Sequence, residues 1–98
     1  MIIQEIFEKL ETSHKPVARL YYKTGEVRLI VIGFKKGMIL DQHKTHLPAR
    51  LLVMSGNVNY IQAGVETHLK AYEYIDIPVN IMHEVVANED SICLLTQG

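Results

Sequence analysis

The feature that most constrains the fold is a regular alternation of short β-rich runs with turn residues, which begins after Pro16. The runs are rich in Val, Ile, Leu and Tyr, and Gly, Asn and Asp separate them. Turns spaced about 8–12 residues apart are typical of an all-β sandwich or barrel. Because closure removes the exposed edges of a small sheet, the pattern predicts a closed or nearly closed antiparallel barrel over residues 16–97. The individual predicted strands cover residues 17–23, 26–32, 49–54, 58–62, 65–69, 73–77, 83–87 and 92–96.

A different pattern precedes the strands. Between residues 2 and 11 the apolar side chains recur at the spacing of one helix face, at Ile2, Ile3, Ile6, Phe7 and Leu10. A proline disfavours helix at the residue before it, so Pro16 separates this segment from the barrel. The sequence therefore predicts a short N-terminal α-helix that packs against the strands.

Length and composition predict one globular domain spanning residues 1–98. Hydrophobic residues make up 48% of the 98-residue chain and charged residues 21%, the profile of a folded protein. A domain of this size buries a modest fraction of its surface, so we expect a homodimer that covers more. Ten basic and eleven acidic residues give a formal net charge of −1, without the basic patch that nucleic acid or an anionic membrane would need. We therefore expect neither as a partner.

The cysteine content and the N-terminal residues indicate where in the cell the protein is located. Cys93 is the only cysteine, so an intrachain disulfide cannot form, and its apolar neighbours indicate a buried thiol. The first residues lack the pattern of a secretory leader, and no apolar run approaches the ~20 residues of a membrane span. We expect a soluble, cytoplasmic protein.

Two stretches contain the residues that could carry chemistry. The first runs from Gly37 to Gly56, with His43 after five intervening residues and His46 shortly behind it. The second follows Pro78 and ends at His83. Their residue types and order resemble the two motifs of the cupin family of small jelly-roll barrels.

The first cupin motif is a glycine, five residues, two histidines one residue apart, then a glutamate and a closing glycine. The frame fits at Gly37, His43 and Gly56. It departs from the family at Thr45, where cupins have the second histidine, and at Ala49, where they have the glutamate.

The second motif matches at Pro78 and His83. Asn80 takes the place of the family's glycine, and Asn substitutes well for Gly in left-handed backbone. Position 87 is Ala, with Asn88 one residue beyond it. The resemblance covers about residues 29–95 and implies a single cupin jelly-roll barrel. It implies no reaction, because cupins include dioxygenases, isomerases, decarboxylases, seed-storage proteins and sugar-binding regulators.

In cupins the two histidines and the glutamate of the first motif, with the histidine of the second, bind one divalent metal inside the barrel. Carried over by position, the resemblance implies His43 and His83 as ligands and places Thr45 and Ala49 in the pocket. Imidazole ligands suit Zn, Ni, Cu or Fe.

The role of His46 depends on the regularity of the strand. In a regular strand from residue 43 onward, His43, Thr45 and Ala49 share one face and His46 points to the other. An irregularity near Leu47 and the following proline would let His46 join His43 and His83 as a third ligand or a general base. Both possibilities remain open from the sequence.

Three functional hypotheses follow. The first is a small-molecule-binding cupin with a degenerate site for one divalent transition metal, open to substrate and without an assigned catalytic residue. The second is a metal-free barrel that binds or senses a ligand, which the small, uncharged Thr45 and Ala49 favour. The third is a purely structural dimer, which predicts a filled interior.

Overall fold

The computed structural model describes residues 1–98 and contains one helix followed by nine strands. Helix α1 spans Ile2–Leu10. The strands are β1 (Val17–Thr24), β2 (Val27–Phe34), β3 (Ile39–His43), β4 (Ala49–Ser55), β5 (Asn57–Gln62), β6 (Val65–Lys70), β7 (Tyr74–Ile77), β8 (His83–Ala87) and β9 (Ser91–Gln97). The predicted all-β fold with a short N-terminal helix is confirmed.

The strands form two antiparallel sheets. Sheet A has the order β1-β2-β9-β4-β7, and sheet B has the order β3-β8-β5-β6. Consecutive strands alternate between the sheets from β2 to β5 and again from β6 to β9, as in a jelly roll, whereas β1–β2 and β5–β6 are hairpins within one sheet. Hydrogen bonds join strands within each sheet, so the barrel is formed by two facing sheets and is not one closed sheet.

Eight of the nine strands coincide with predicted runs to within about two residues. The exception, β3, escaped individual prediction because its sequence does not alternate cleanly. The pairing of β3 with β8 shifts between Leu40 and His43, which leaves Asp41 and Gln42 exposed in a bulge. Beyond His43 the chain is irregular until β4 begins at Ala49. The irregularity that the sequence left open is therefore present.

The main core fills the space between the sheets. Its side chains alternate along the strands with outward residues, and Val53, Val58 and Cys93 are fully buried. The members of this core are Ile32, Phe34, Ala49, Leu51, Val53, Val58, Tyr60, Leu69, Ile77, Val85, Ala87 and Cys93.

Helix α1 packs on the outer face of sheet A. Ile6 and Leu10 are buried there against Val31 and Ile92. Gly33 of β2 makes this close approach possible, because a Cβ atom at that position would overlap the Cγ2 atom of Ile6. The helix is too short and too polar to cross a membrane.

Candidate functional site

The two motif histidines meet at one end of the barrel. His43 is the last residue of β3 and His83 is the first residue of β8, and the two are directly paired across sheet B. Their ring centroids lie 4.2 Å apart at an interplanar angle of 60°. The backbone N–H of Asn80, which has a φ of 59°, donates to the carbonyl of Thr45 over 2.9 Å. This bond ties the loop before His83 to the loop after His43.

Hydrogen bonds fix the tautomers of both imidazoles. The Nδ1 atom of His43 lies 2.8 Å from the carbonyl oxygen of Asp41, and the Nδ1 atom of His83 lies 3.1 Å from that of Ile81. A carbonyl can only accept, so in each ring Nδ1 carries the proton and donates. Each Nε2 therefore has a lone pair that no protein group occupies. Metal-binding histidines are held in the same way, with the outer ring nitrogen donating to a backbone carbonyl.

The environment of His83 favours the neutral ring. Its side chain is 3% exposed. Burial lowers the pKa of His83 below its ordinary value, and the neighbouring His43 lowers it further, while the hydrogen bond to Ile81 opposes both effects. The imidazole is therefore neutral at neutral pH, which is the form that binds a metal or accepts a proton.

Tyr60 and Gln62 of β5 extend the polar wall beside the histidines. The ring of Tyr60 stacks on His83 with centroids 5.6 Å apart, and its hydroxyl donates to the Oε1 atom of Gln62 over 2.8 Å. Gln62 is the register partner of His83. Burial raises the pKa of Tyr60, so the hydroxyl keeps its proton. The sequence analysis missed both residues, although the alternation of β5 against β8 could have placed them on the inner face.

A cavity of about 820 Å³ opens at this end of the barrel. Its inner wall includes Ala49, Gln62 and Gln97, and its outer rim includes Arg50 and Asp76. The complete lining consists of Val27, Pro48, Ala49, Arg50, Gln62, Ile75, Asp76, Ile77, Pro78, Thr96, Gln97 and Gly98. Inward-facing and outward-facing residues of sheet A both line this cavity, and neither His43 nor His83 is among them.

Arg50 on the rim is already paired. Its Nε and Nη2 atoms donate to the carboxylate of Asp76 over 2.7 and 3.1 Å, and its guanidinium lies 4.1 Å from the ring centre of Tyr74. This pair raises the pKa of Arg50 and lowers that of Asp76. Strand alternation places all three residues on the outer face of sheet A, as predicted for Arg50.

Comparison with known proteins identifies the fold. No protein-family model and no curated protein matches the chain. Solved structures do match: a double-stranded β-helix protein from Klebsiella pneumoniae has a TM-score of 0.80 at 22% identity, with 95% of this chain and 85% of that chain covered. An RmlC-like cupin from Shewanella frigidimarina has a TM-score of 0.79 at 20% identity, with coverages of 88% and 78%. This chain has the cupin fold.

A further similar structure is longer than this chain. A cupin 2 conserved barrel domain protein from Leptotrichia buccalis is 28% identical with a TM-score of 0.77, and the match covers 93% of this chain and 45% of that one. The resemblance to cupins inferred from the two motifs is thus confirmed for the fold, and the chain is a small cupin barrel.

Thr45 and Ala49 stand where cupins have metal ligands, and both are buried. The hydroxyl of Thr45 is hydrogen-bonded within the protein. It donates to the carbonyl of Leu47 over 2.7 Å and accepts a long 3.4 Å hydrogen bond from Gln97 Nε2. Ala49 lines the cavity directly and pairs with Gln97 on one side and Ile77 on the other. Neither residue supplies a metal ligand in this arrangement.

His46 lies in the irregular segment between β3 and β4, and its side chain is exposed. It makes no hydrogen bond within the protein, and no group of three or more His, Cys, Asp or Glu side chains is arranged to hold a metal ion. The structure therefore brings His43 and His83 together without His46. The role of His46 as third ligand or general base stays a prediction.

Proposed function

We propose that this cupin barrel binds a small molecule at the end of the barrel that holds the histidine pair, with one divalent transition metal held by His43 and His83 at a degenerate site and the ligand in the neighbouring cavity lined by Gln62 and Ala49. The observation that carries the proposal is the pair of anchored imidazoles. Each Nδ1 is committed to a backbone carbonyl, and each Nε2 is free to accept a metal or a ligand proton.

The donor set fits a transition metal that accepts few protein ligands. Neutral imidazoles suit Zn, Ni, Cu or Fe, and a site with two protein ligands leaves several positions for water or substrate. Such a metal would polarise an oxygen atom of the bound molecule. Within the chain, Tyr60 positions Gln62 beside the pair, and the buried wall behind His83 excludes water from one side.

Metal content tests this proposal. We would measure it by plasma mass spectrometry on untagged protein purified without chelator, comparing wild type with His43→Ala, His83→Ala and His46→Ala. We expect near-stoichiometric metal in the wild type and loss in the first two variants. Retention by His46→Ala would mean that the pair suffices, and loss would assign His46 a ligand role. No metal in the wild type, even after incubation with Zn, Ni, Cu and Fe salts, would refute the metal site.

A metal-free binding or sensing barrel is the second candidate, and the cavity beside Ala49 favours it. Replacement of a glutamate by alanine leaves space without charge, and about 820 Å³ is enough for a small organic molecule. Native mass spectrometry of freshly purified protein distinguishes the two. An organic ligand retained by metal-free protein would support the second candidate. The absence of both a bound metal and a bound organic ligand would favour a purely structural role.

We also propose that the protein forms a homodimer through the outer face of sheet A. The short helix covers part of this face and leaves Tyr22, Met54 and Tyr74 between 42% and 53% exposed. The formal net charge of −1 opposes self-association only weakly. Sedimentation analysis of wild type and Met54→Lys tests it: we expect a dimer that the lysine disrupts, and a wild-type monomer at micromolar concentration would refute it.

A further inference from the structure

The inward-facing positions of the two sheets have an unusual charge distribution. Direct partners in an antiparallel pair lie on the same face, so the register assigns every paired strand residue to the inner or outer side. By this assignment no paired Asp or Glu faces inward, and Asp41, which lies in the β3 bulge without a register partner, is exposed. The carboxylates of β6, β7 and β8 (Glu66, Asp76 and Glu84) all face outward. The only inward charges are two cations, Lys23 and Arg28.

Both cations lie in the row of sheet A that passes through the cavity. Lys23 of β1 pairs with Arg28 of β2, Arg28 pairs with Gln97 of β9, and Gln97 pairs with Ala49 of β4. Lys23, Arg28 and Gln97 also line a recess of about 300 Å³ beside Leu47. Gln97 borders both this recess and the large cavity.

These cations have no partner within the protein. The only salt bridge in the chain joins Arg50 to Asp76 on the outer face, although that pair is itself 52% and 65% exposed. Glu26 lines the same recess, yet it makes no ion pair with Lys23 or Arg28. The exposed Arg50 thus has a carboxylate partner, whereas the exposed Lys23 and Arg28 have none.

The neutral groups of the wall add hydrogen-bond donors. The hydroxyl of Tyr60 donates to Oε1 of Gln62, which leaves the N–H₂ group of this amide for the cavity. Nε2 of Gln97 makes only a 3.4 Å hydrogen bond to Thr45, so it can turn toward a better acceptor. A ligand rich in acceptor oxygens could therefore accept hydrogen bonds from both sheets.

We propose that the ligand of this cavity is a small organic anion with a carboxylate group, bound by Arg28 and Lys23 at the mouth and by the amides of Gln62 and Gln97 within. The inference rests on the proposed small-molecule site and adds the class of ligand. A guanidinium binds a carboxylate through two parallel hydrogen bonds. The acidic residues nearby are Asp76, which Arg50 neutralises, and Glu26, which the two cations outnumber in the recess.

The test uses matched probes and matched variants of the full chain. The probes are benzoate and phenylacetate, each beside its uncharged primary amide. Binding is followed by NMR titration of ¹⁵N-labelled protein, with the side-chain amide signals of Gln62 and Gln97 as reporters of location. The variant Lys23→Gln/Arg28→Gln is compared with Arg19→Gln/Lys70→Gln, which removes the same charge from two outward positions.

We expect the carboxylates to shift both reporter signals and to bind at least about tenfold more tightly than their amides, since each charge-assisted hydrogen bond is worth this much. The Lys23/Arg28 variant should abolish that preference and the Arg19/Lys70 variant should keep it. Equal binding of carboxylates and amides at the reporters would overturn the anion inference and leave the small-molecule site standing. Absence of any shift would overturn the inference, while metal content decides the proposed metal site independently.

Discussion

Replacement of Ala49 by glutamate tests the metal site by restoring a ligand at the position where cupins have one. Ala49 is 7% exposed, faces inward from β4 and lines the cavity. Its neighbours in the row are Gln97 and Ile77, and the adjoining space of about 820 Å³ can accept one further methylene group and a carboxylate. The Ala49→Glu variant should therefore fold with its new carboxylate at the end of the barrel that holds the histidine pair.

The size of the effect follows from the energetics of metal sites. Structural zinc sites with four protein ligands bind with roughly 10–16 kcal/mol, or about 2.5–4 kcal/mol per ligand. One added carboxylate should therefore raise zinc affinity by about two to three orders of magnitude. Without metal, the same carboxylate is partly desolvated and should destabilise the protein by roughly 1–3 kcal/mol. Zinc should thus raise the melting temperature of the variant more than that of the wild type.

Competition with a chromogenic zinc chelator measures the affinity, and Ala49→Gln is the control because it has the same shape without the charge. We expect Ala49→Glu to compete more strongly than either wild type or Ala49→Gln at pH 7.5. If Ala49→Glu bound zinc no more tightly than Ala49→Gln, the inward position of residue 49 relative to the histidines, and with it the proposed metal site, would be refuted.

Three further predictions concern the surrounding fold. Gly33→Ala should lower the free energy of unfolding by about 1–3 kcal/mol in urea titrations because its Cβ overlaps Ile6, and an unchanged midpoint would contradict this packing. The thiol of Cys93, which is fully buried with a pKa raised to about 12, should react with a chromogenic disulfide only after denaturation; rapid reaction of native protein would refute its burial. Because the pKa of His83 is lowered by folding, the unfolded state protonates first, so stability should fall as the pH drops below about 6.5 and level off below the lowered value. His83→Gln should flatten that pH dependence, and an identical profile for both proteins would exclude His83 as its source.

Most of the fold could be predicted from the sequence because helices, strands and turns leave local sequence patterns. Turn residues and alternating apolar positions recur along the chain, and they located eight strands and the helix. The missing strand, β3, carries a bulge at Asp41 and Gln42, and a bulge breaks the two-residue period on which such a prediction depends. The separation into two sheets could not be predicted in the same way, because it depends on pairing between distant strands.

The sequence identified residues of the candidate site only where they belong to a recognisable motif. His43 and His83 occupy positions that the cupin resemblance marks, and the structure pairs them. His46 depended on whether residues 44–48 continue a strand, which a proline makes uncertain, and the exposed loop leaves its role for experiment. Tyr60 and Gln62 belong to no motif, and their place beside His83 follows from register alone.

The two inward cations illustrate why register matters for function as well as for fold. In the sequence, Lys23 and Arg28 flank a Thr-Gly turn, where charged residues are usually solvated, and nothing distinguishes them from Lys35 or Lys70. The structure extends their row through Gln97 to Ala49, so the register places both cations in the recess next to the cavity that Ala49 lines. An uncharged alanine at position 49 and the two cations act in the same direction. Both raise the electrostatic potential at the mouth, which favours an anionic ligand whether or not a metal is bound.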